Sequence, residues 1–131
     1  MAKNLLDFVT EAVNNIKQIQ PHELEQLIDE RKDLLILDIR EADEFASGHI
    51  PGAVLIPRGT LEGAADPSYK KRHKELCQAH SRPIVLVCST GGRSALATYT
   101  LNQMGFQETY NLAGGITLWD AEDLPLSTEI S

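Results

Sequence analysis

One segment of this 131-residue chain brings a nucleophile and a flexible turn together: Cys88-Ser89-Thr90-Gly91-Gly92-Arg93-Ser94. An apolar run from Ile84 to Val87 leads directly into Cys88, and a pattern of alanine and leucine typical of a helix follows from Ser94 to Met104. The order of these patterns predicts a buried strand, then a short loop, then a helix. The cysteine therefore lies where the strand ends and the loop begins.

The residues around Cys88 are of types that stabilise a sulfur anion. The thiolate is the nucleophilic form of cysteine, and a helix N-terminus offers unpaired N–H groups and a partial positive charge. Gly91 and Gly92 allow the loop to curl with its N–H groups pointing inward, and Arg93 adds a positive charge unless it anchors the loop from outside. We therefore predict a reactive thiolate that needs no dedicated general base. The alternative, a small buried hydrophobic cysteine, leaves the Gly-Gly-Arg turn unexplained.

The loop resembles the active-site loop of rhodanese-like sulfurtransferases, which is six residues long, begins with cysteine and ends at an arginine-like position. Cys88 through Arg93 has that length. The related cell-cycle dual-specificity phosphatases have a loop one residue longer, which admits a phosphate, so the resemblance favours sulfur chemistry. It implies a catalytic Cys88 and a loop that binds substrate and persulfide, formed by Ser89, Thr90, Gly91, Gly92, Arg93 and Ser94.

Three more segments carry the same resemblance, which extends from about Ile19 to Pro125. They are Leu37-Asp38-Ile39-Arg40-Glu41 with a short helix after it from Ala42 to Ser47, Gly48-His49-Ile50-Pro51-Gly52-Ala53, and Gly114-Gly115 followed by Trp119 and Leu124-Pro125. The family pattern implies that Phe45 of the short helix points inward and that His49 is structural and hydrogen-bonds its turn. Trp119 is predicted to be a packing residue.

The alternation of apolar strands and helices predicts a single α/β domain with a central parallel sheet of about five strands and helices on both faces. The strand count comes partly from the resemblance. Predicted strands lie at Lys17–Gln20, Leu34–Leu37, Val54–Ile56, Ile84–Val87 and Thr109–Leu112. Residues 18–131 form this domain, and residues 1–17 carry an amphipathic helix from Asn4 to about Ile16. That helix is expected to pack on or extend the domain, with docking or dimerisation as the alternative.

Two charged residues near strand ends are possible anion-binding or supporting residues. Asp38 ends a predicted buried strand and could reach a site across the strand ends; the alternatives are that it caps the next helix or pairs with a nearby arginine. Arg58 follows the next strand and is a candidate to bind an anionic donor such as thiosulfate. Its alternative is a solvated loop arginine.

Two later segments give weaker predictions. Asp66-Pro67 has the pattern of a helix start, which would place Tyr69, His73, Leu76 and Cys77 on one helix face. That spacing indicates packing for Cys77 rather than a resolving thiol for Cys88. Residues from Leu124 to Ser131 are expected to form a frayed tail.

Composition excludes several function classes. The net charge of −7 argues against nucleic acid as a partner. Two cysteines and four scattered histidines predict neither a disulfide scaffold nor a metal site, and no cofactor is expected. Asp7 and Glu11 interrupt the apolar residues of the N-terminus, which is not the pattern of a secretory signal, and no apolar run is long enough to span a membrane. We therefore expect a cytoplasmic location and no membrane partner.

The predicted function is a thiosulfate sulfurtransferase. It would move a sulfane sulfur from thiosulfate or another persulfide donor to a thiol, cyanide or protein acceptor through a persulfide on Cys88. Three alternatives remain open: a persulfide carrier with little thiosulfate turnover, a phosphatase or arsenate reductase that uses the same cysteine, and a non-enzymatic binding module.

Overall fold

The computed structural model describes residues 1–130, which contain a five-stranded parallel sheet. Its strands are β1 (Gln18–Ile19), β2 (Leu35–Asp38), β3 (Val54–Leu55), β4 (Pro83–Val87) and β5 (Glu108–Leu112), in the spatial order β1-β5-β4-β2-β3. The helices are α1 (Leu5–Val13), α2 (Pro21–Glu30), α3 (Ala42–Ser47), α4 (Leu61–Ala65), α5 (Lys74–Cys77), α6 (Gly92–Gln103) and α7 (Gly115–Ala121), with a 3₁₀ turn at Arg58–Thr60. The predicted α/β architecture is confirmed. Within residues 1–130, no helix is long and apolar enough to cross a membrane.

Both faces of the sheet are packed against helices, as the alternation of side chains in β4 shows. Ile84 and Leu86 belong to one hydrophobic cluster, which also takes residues of α4, α5 and α6. Val85 and Val87 belong to a second cluster on the opposite face, with residues of α2 and α7. Burial on both faces explains why this strand is continuously apolar rather than alternating.

The strand order places Cys88 at the middle of one edge of the sheet. Because all pairings are parallel, the carboxyl ends of β2, β4 and β5 lie at the same edge. In open parallel sheets this edge holds the ligand site. The loop after β4 and the residues that follow β2 and β5 are thereby brought together.

The N-terminal helix α1 packs against α6. Asn4 caps it as predicted, since its side chain accepts from the N–H of Asp7 and the Asp7 carboxylate accepts from the N–H of Asn4. Ala12 is buried, whereas Leu5 and Phe8 remain exposed, so only part of the predicted apolar face is covered. The division of the chain at residue 17 stays a prediction.

The predicted helix from Asp66 to Cys77 is wrong. The Asp66 carboxylate accepts from both the N–H and the hydroxyl of Ser68, which closes a turn instead of capping a helix. The helix begins only at Lys74, capped by His73. Cys77 is half-buried, and its thiol donates to the Ala64 carbonyl at 3.4 Å.

The tail after α7 is held to the domain over its first residues. Leu124 is buried, and Ser127 exchanges two backbone hydrogen bonds with His49, of 2.9 and 2.7 Å. The buried Trp119 donates its indole N–H to the Pro125 carbonyl at 2.8 Å, so packing is confirmed for its ring. The expectation of a frayed tail is wrong for residues 124–127, and its last residue, Ser131, lies outside the described residues.

Candidate active site

The loop curls around the sulfur of Cys88 as the sequence predicts. Cys88 is 1% exposed. Its Sγ accepts from the N–H of Gly91 at 3.1 Å and from the N–H of Ser94 at 3.3 Å, and the Ser94 hydroxyl lies 3.2 Å away. Gly91 has φ of +103°, which favours glycine and turns the chain from the loop into α6.

The other N–H groups of the loop are available to donate hydrogen bonds. Those of Ser89, Thr90, Gly92 and Arg93 have no acceptor within residues 1–130. Gly92 and Arg93 open α6, where N–H groups lack partners inside the helix and the helix dipole favours negative charge. The site therefore offers the sulfur two amide bonds and keeps further amides available for an anion beside it.

The N-terminus of α7 orients the first peptide groups of the loop. The N–H of Ile116 donates to the Cys88 carbonyl at 2.9 Å, and the N–H of Thr117 donates to the Ser89 carbonyl at 3.0 Å. In a trans peptide the C=O and the following N–H point in opposite directions. Anchoring these carbonyls on α7 therefore directs the N–H groups of Ser89 and Thr90 away from α7.

This approach of α7 requires glycine at position 115. A Cβ atom on Gly115 would lie 2.4 Å from the Cys88 carbonyl oxygen and 2.6 Å from the Ser89 carbonyl carbon. The residue also has φ of +56°, which disfavours other residue types. The Gly-Gly turn noted in the sequence thus allows a second helix to contact the loop.

Arg93 anchors the loop from outside, through Glu44 of α3. Two guanidinium nitrogens of Arg93 donate to the two carboxylate oxygens of Glu44, each at 2.9 Å, and the Ser89 hydroxyl donates to the same carboxylate at 3.1 Å. Hydrogen bonding from Arg93, then from the N–H of Glu41, lowers the pKa of Glu44 to about 2. The pairing raises the pKa of Arg93. Both groups stay charged at neutral pH, and they fasten the loop to α3.

Asp38 pairs with Arg40, one of the alternatives left open by the sequence. Asp38 is 0% and Arg40 4% exposed. The guanidinium donates to both carboxylate oxygens, at 2.8 to 3.2 Å, and to the Gly48 carbonyl at 2.7 Å. The pair fixes the turn between β2 and α3, which carries Glu44.

The side-chain hydrogen bonds of Arg58 and His49 are made away from the loop. Arg58 donates to Glu62 at 2.8 Å and to Thr100 at 3.1 Å; Thr100 lies about 12 Å along α6 from its first residue. The His49 Nδ1 donates to the Phe45 carbonyl at 2.8 Å, and its ring stacks on the inward-facing Phe45. The structure does not join either side chain to Cys88 through a hydrogen bond.

Two residues at the site were missed from the sequence. Glu44 is the third residue of α3 and also accepts from the N–H of Glu41, so in the sequence it is indistinguishable from an ordinary capping residue. Asn111 of β5 is 1% exposed and accepts from the Ser94 hydroxyl at 2.5 Å. The strand has the sequence Glu-Thr-Tyr-Asn-Leu, so Asn111 is one of several polar residues in it and no signal in the sequence distinguished it.

Comparison with known proteins places this site in a family. Residues 20–122 match the model of the rhodanese-like domain. The chain is 34% identical, over 84% of its length, to the "Putative sulfur carrier protein YrkF" of Bacillus subtilis (strain 168), and spans 54% of that protein. It is 30% identical, over 73% of its length, to the thiosulfate sulfurtransferase GlpE of Pseudoalteromonas translucida, and spans 81% of it.

A solved structure has the same fold over nearly the whole chain. It is a protein of unknown function from Rhodopseudomonas palustris, described as a possible tyrosine phosphatase, with a TM-score of 0.90 and 27% identity. The match covers 97% of this chain and 96% of that one. The matched family model spans the loop, the Arg40 turn and the Gly-Gly turn described above. The chain belongs to the family of rhodanese-like domains, whose relatives named here include a sulfurtransferase and a protein named as a sulfur carrier.

Proposed function

We propose that the protein is a sulfurtransferase that carries a sulfane sulfur as a persulfide on Cys88. The observation that supports this most strongly is the loop itself: two of its amides bond to Sγ, and further N–H groups have no acceptor among residues 1–130. Such a ring of donors suits a small anion built onto the sulfur. The names of relatives support sulfur transfer in general, and thiosulfate as donor is part of the proposal.

The first half-reaction loads the sulfur. The Cys88 thiolate attacks the outer sulfur of thiosulfate, a new S–S bond forms, and the sulfur–sulfur bond of thiosulfate breaks with its electron pair leaving on sulfite. The product is a persulfide anion on Cys88. The free N–H groups of Thr90, Gly92 and Arg93 are donors for that anion and for the sulfite that departs.

The second half-reaction unloads it. A thiophilic acceptor, such as cyanide, a thiolate or a cysteine of a partner protein, attacks the outer sulfur. The S–S bond breaks, its electron pair returns to Cys88 as a thiolate, and the acceptor leaves as thiocyanate or a new persulfide. Because the enzyme is covalently modified between the two steps, ping-pong kinetics are expected. A free working thiol fits a reducing cytoplasm, which is part of the proposal.

A second candidate, a persulfide carrier, shares every one of these residues. The relative YrkF, named as a putative sulfur carrier, favours it. The carrier would be loaded by a partner and would turn over thiosulfate slowly. It differs from the enzyme in rate and donor rather than in the chemistry at Cys88.

A phosphatase is the third candidate, and the description of the Rhodopseudomonas palustris protein suggests it. A phosphate ester carries two negative charges and is held best by a bidentate arginine. In this chain both terminal nitrogens of the Arg93 guanidinium are bonded to Glu44, and the loop from Cys88 to Arg93 is of the shorter length. Both points support sulfur over phosphate as the substrate.

The test measures thiocyanate formed from thiosulfate and cyanide, with p-nitrophenyl phosphate as the competing substrate. We expect thiocyanate with parallel double-reciprocal plots, none from Cys88→Ser, and an unchanged rate from Cys77→Ser. Slow thiocyanate production, with fast loading by a cysteine desulfurase and cysteine, would identify the carrier. Faster release of nitrophenol than of thiocyanate would overturn the proposal in favour of a phosphatase.

A further inference from the structure

Asn111 lies beneath the loop and uses its whole side-chain amide. Its Nδ2 donates to the Gln18 side-chain oxygen and to the Gly91 carbonyl, each at 3.1 Å. Its Oδ1 accepts from the Ser94 hydroxyl at 2.5 Å. Asn111 is 1% exposed, so water does not compete for these bonds.

These partners fix which way the amide faces. The Gly91 carbonyl can only accept a hydrogen bond, so the opposite orientation would place Oδ1 against an acceptor. Oδ1 must therefore face Ser94. The Ser94 hydroxyl has one proton and two acceptors within reach, Asn111 Oδ1 and Cys88 Sγ.

The bond to Gly91 orients a second group. The Gly91 carbonyl accepts from Asn111 and also from the N–H of Ala95 at 3.1 Å. Since C=O and N–H are opposed across a trans peptide, the N–H of Gly92 points away from Asn111. This N–H is one of the loop donors that has no acceptor within the described residues.

We propose that Asn111 is the positioning residue of the sulfur site. It holds the Ser94 hydroxyl against Cys88 Sγ, and it orients the Gly91–Gly92 peptide so that the N–H of Gly92 faces the bound anion. When the sulfur is a thiol, its proton is donated to Ser94 Oγ and the Ser94 proton goes to Asn111. When the sulfur is an anion, the Ser94 proton is shared between Asn111 Oδ1 and Sγ, because a charged acceptor attracts the donor more strongly than a thiol does.

The inference rests on the proposed function only in that the anion formed during turnover is a persulfide. The same groups would stabilise a thiolate on Cys88 whether or not a sulfur donor is present. The two ideas can therefore be tested separately, by alkylation of Cys88 and by thiocyanate formation.

The experiment measures the rate of iodoacetamide alkylation of Cys88 against pH, in a Cys77→Ser background. Asn111→Asp keeps the size and an acceptor for Ser94, but removes both donors and adds a negative charge near the sulfur. We expect alkylation at pH 7 to be about tenfold slower, as for a curve moved up by about one pH unit. Asn111→Ser should slow it less. In a Ser94→Ala background, Asn111→Ser should have a smaller effect than on its own.

Thr109→Val is the matched control. Thr109 is also a buried polar residue of β5, and its hydroxyl donates to Asn102 rather than to the loop. It should lower stability without moving the alkylation curve. An unchanged curve in folded Asn111→Asp or Asn111→Ser, or an equal displacement in Thr109→Val, would overturn the inference. If the Asn111 variants displace the alkylation curve but the wild type forms no thiocyanate, the inference about Asn111 stands and the proposed function does not.

Discussion

Replacing Gly115 with alanine should separate the loop from α7. The new Cβ would lie 2.4 Å from the Cys88 carbonyl oxygen, so the backbones must move apart by about 1 Å to reach ordinary van der Waals contact. The positive φ of 56° adds about 1 kcal/mol of strain. Weakening the bonds from Ile116 and Thr117 adds about 1 kcal/mol each. The expected loss in the free energy of unfolding is about 3 kcal/mol.

The assay is thermal unfolding followed by circular dichroism, with thiocyanate formation measured at a temperature where the variant is folded. A loss of about 3 kcal/mol corresponds to a Tm lower by about 12 °C for a chain of this size. Because a displacement of about 1 Å near reacting groups costs on the order of a hundredfold in rate, transfer should fall by about that factor.

Gly52→Ala is the matched control, since Gly52 has φ of +85° but an added Cβ would have no atom of the described residues within 4 Å. It carries the backbone strain without the contact, so Tm should fall by about 4 °C and transfer should be unchanged. If Gly115→Ala loses no more stability than Gly52→Ala and keeps its transfer rate, then contact between α7 and the loop does not hold the site in place.

Two further substitutions test the charged pairs around the loop. Glu44→Gln should cost about 1 kcal/mol near pH 7, since the pair with Arg93 is partly exposed. The pKa of Glu44 is lowered from 4.5 to about 2, so the carboxylate's contribution to the free energy of unfolding is complete above about pH 4.5 and is lost as the pH falls through 2. In urea unfolding, the difference in stability between wild type and Glu44→Gln should shrink over that range. A difference that stays constant with pH would contradict this explanation. Arg40→Leu should cost about 3–5 kcal/mol in urea unfolding, because it leaves the Asp38 carboxylate buried and unpaired. Adding Asp38→Leu should recover part of that loss, and no recovery would contradict burial of the charge as the cause.

The strand, loop and helix around Cys88 could be predicted because each depends on residues close in sequence. A continuous apolar run fits a strand covered on both faces, and glycines followed by a helical pattern fit a turn into a helix. The start of α1 at Asn4 was predictable for the same reason, since the two residues of its capping box, Asn4 and Asp7, are three positions apart in the sequence.

The same local rules failed between Asp66 and Cys77, where two local structures compete. Asp66 followed by proline suits a helix start, but the next residue, Ser68, offers both an N–H and a hydroxyl to the same carboxylate. The structure has the turn at this position, and the helix begins only after His73, whose ring accepts a hydrogen bond from the N–H of Leu76. Local sequence does not determine which of these arrangements the rest of the domain accommodates.

The residues that support the site could not be predicted because their partners are distant in the chain. Glu44 binds Arg93, which is 49 residues later in the sequence. Asn111 binds Gln18, which is 93 residues earlier. Both contacts depend on the strand order: β4 lies beside β2, which brings Arg93 near Glu44, and β5 lies beside β1, which brings Asn111 near Gln18. A list of residue types and spacings does not contain that order, whereas Cys88 could be proposed as the nucleophile from its immediate neighbours in the sequence.

Whether Cys88 carries the sulfur can be read from the intact mass of the protein after incubation with thiosulfate and removal of the excess, without reductant. We expect a gain of one sulfur atom in the wild type and in Cys77→Ser, reversed by cyanide or dithiothreitol, and no gain in Cys88→Ser. A sulfur retained by Cys88→Ser, or a wild type that gains none from thiosulfate or from a cysteine desulfurase with cysteine, would contradict it.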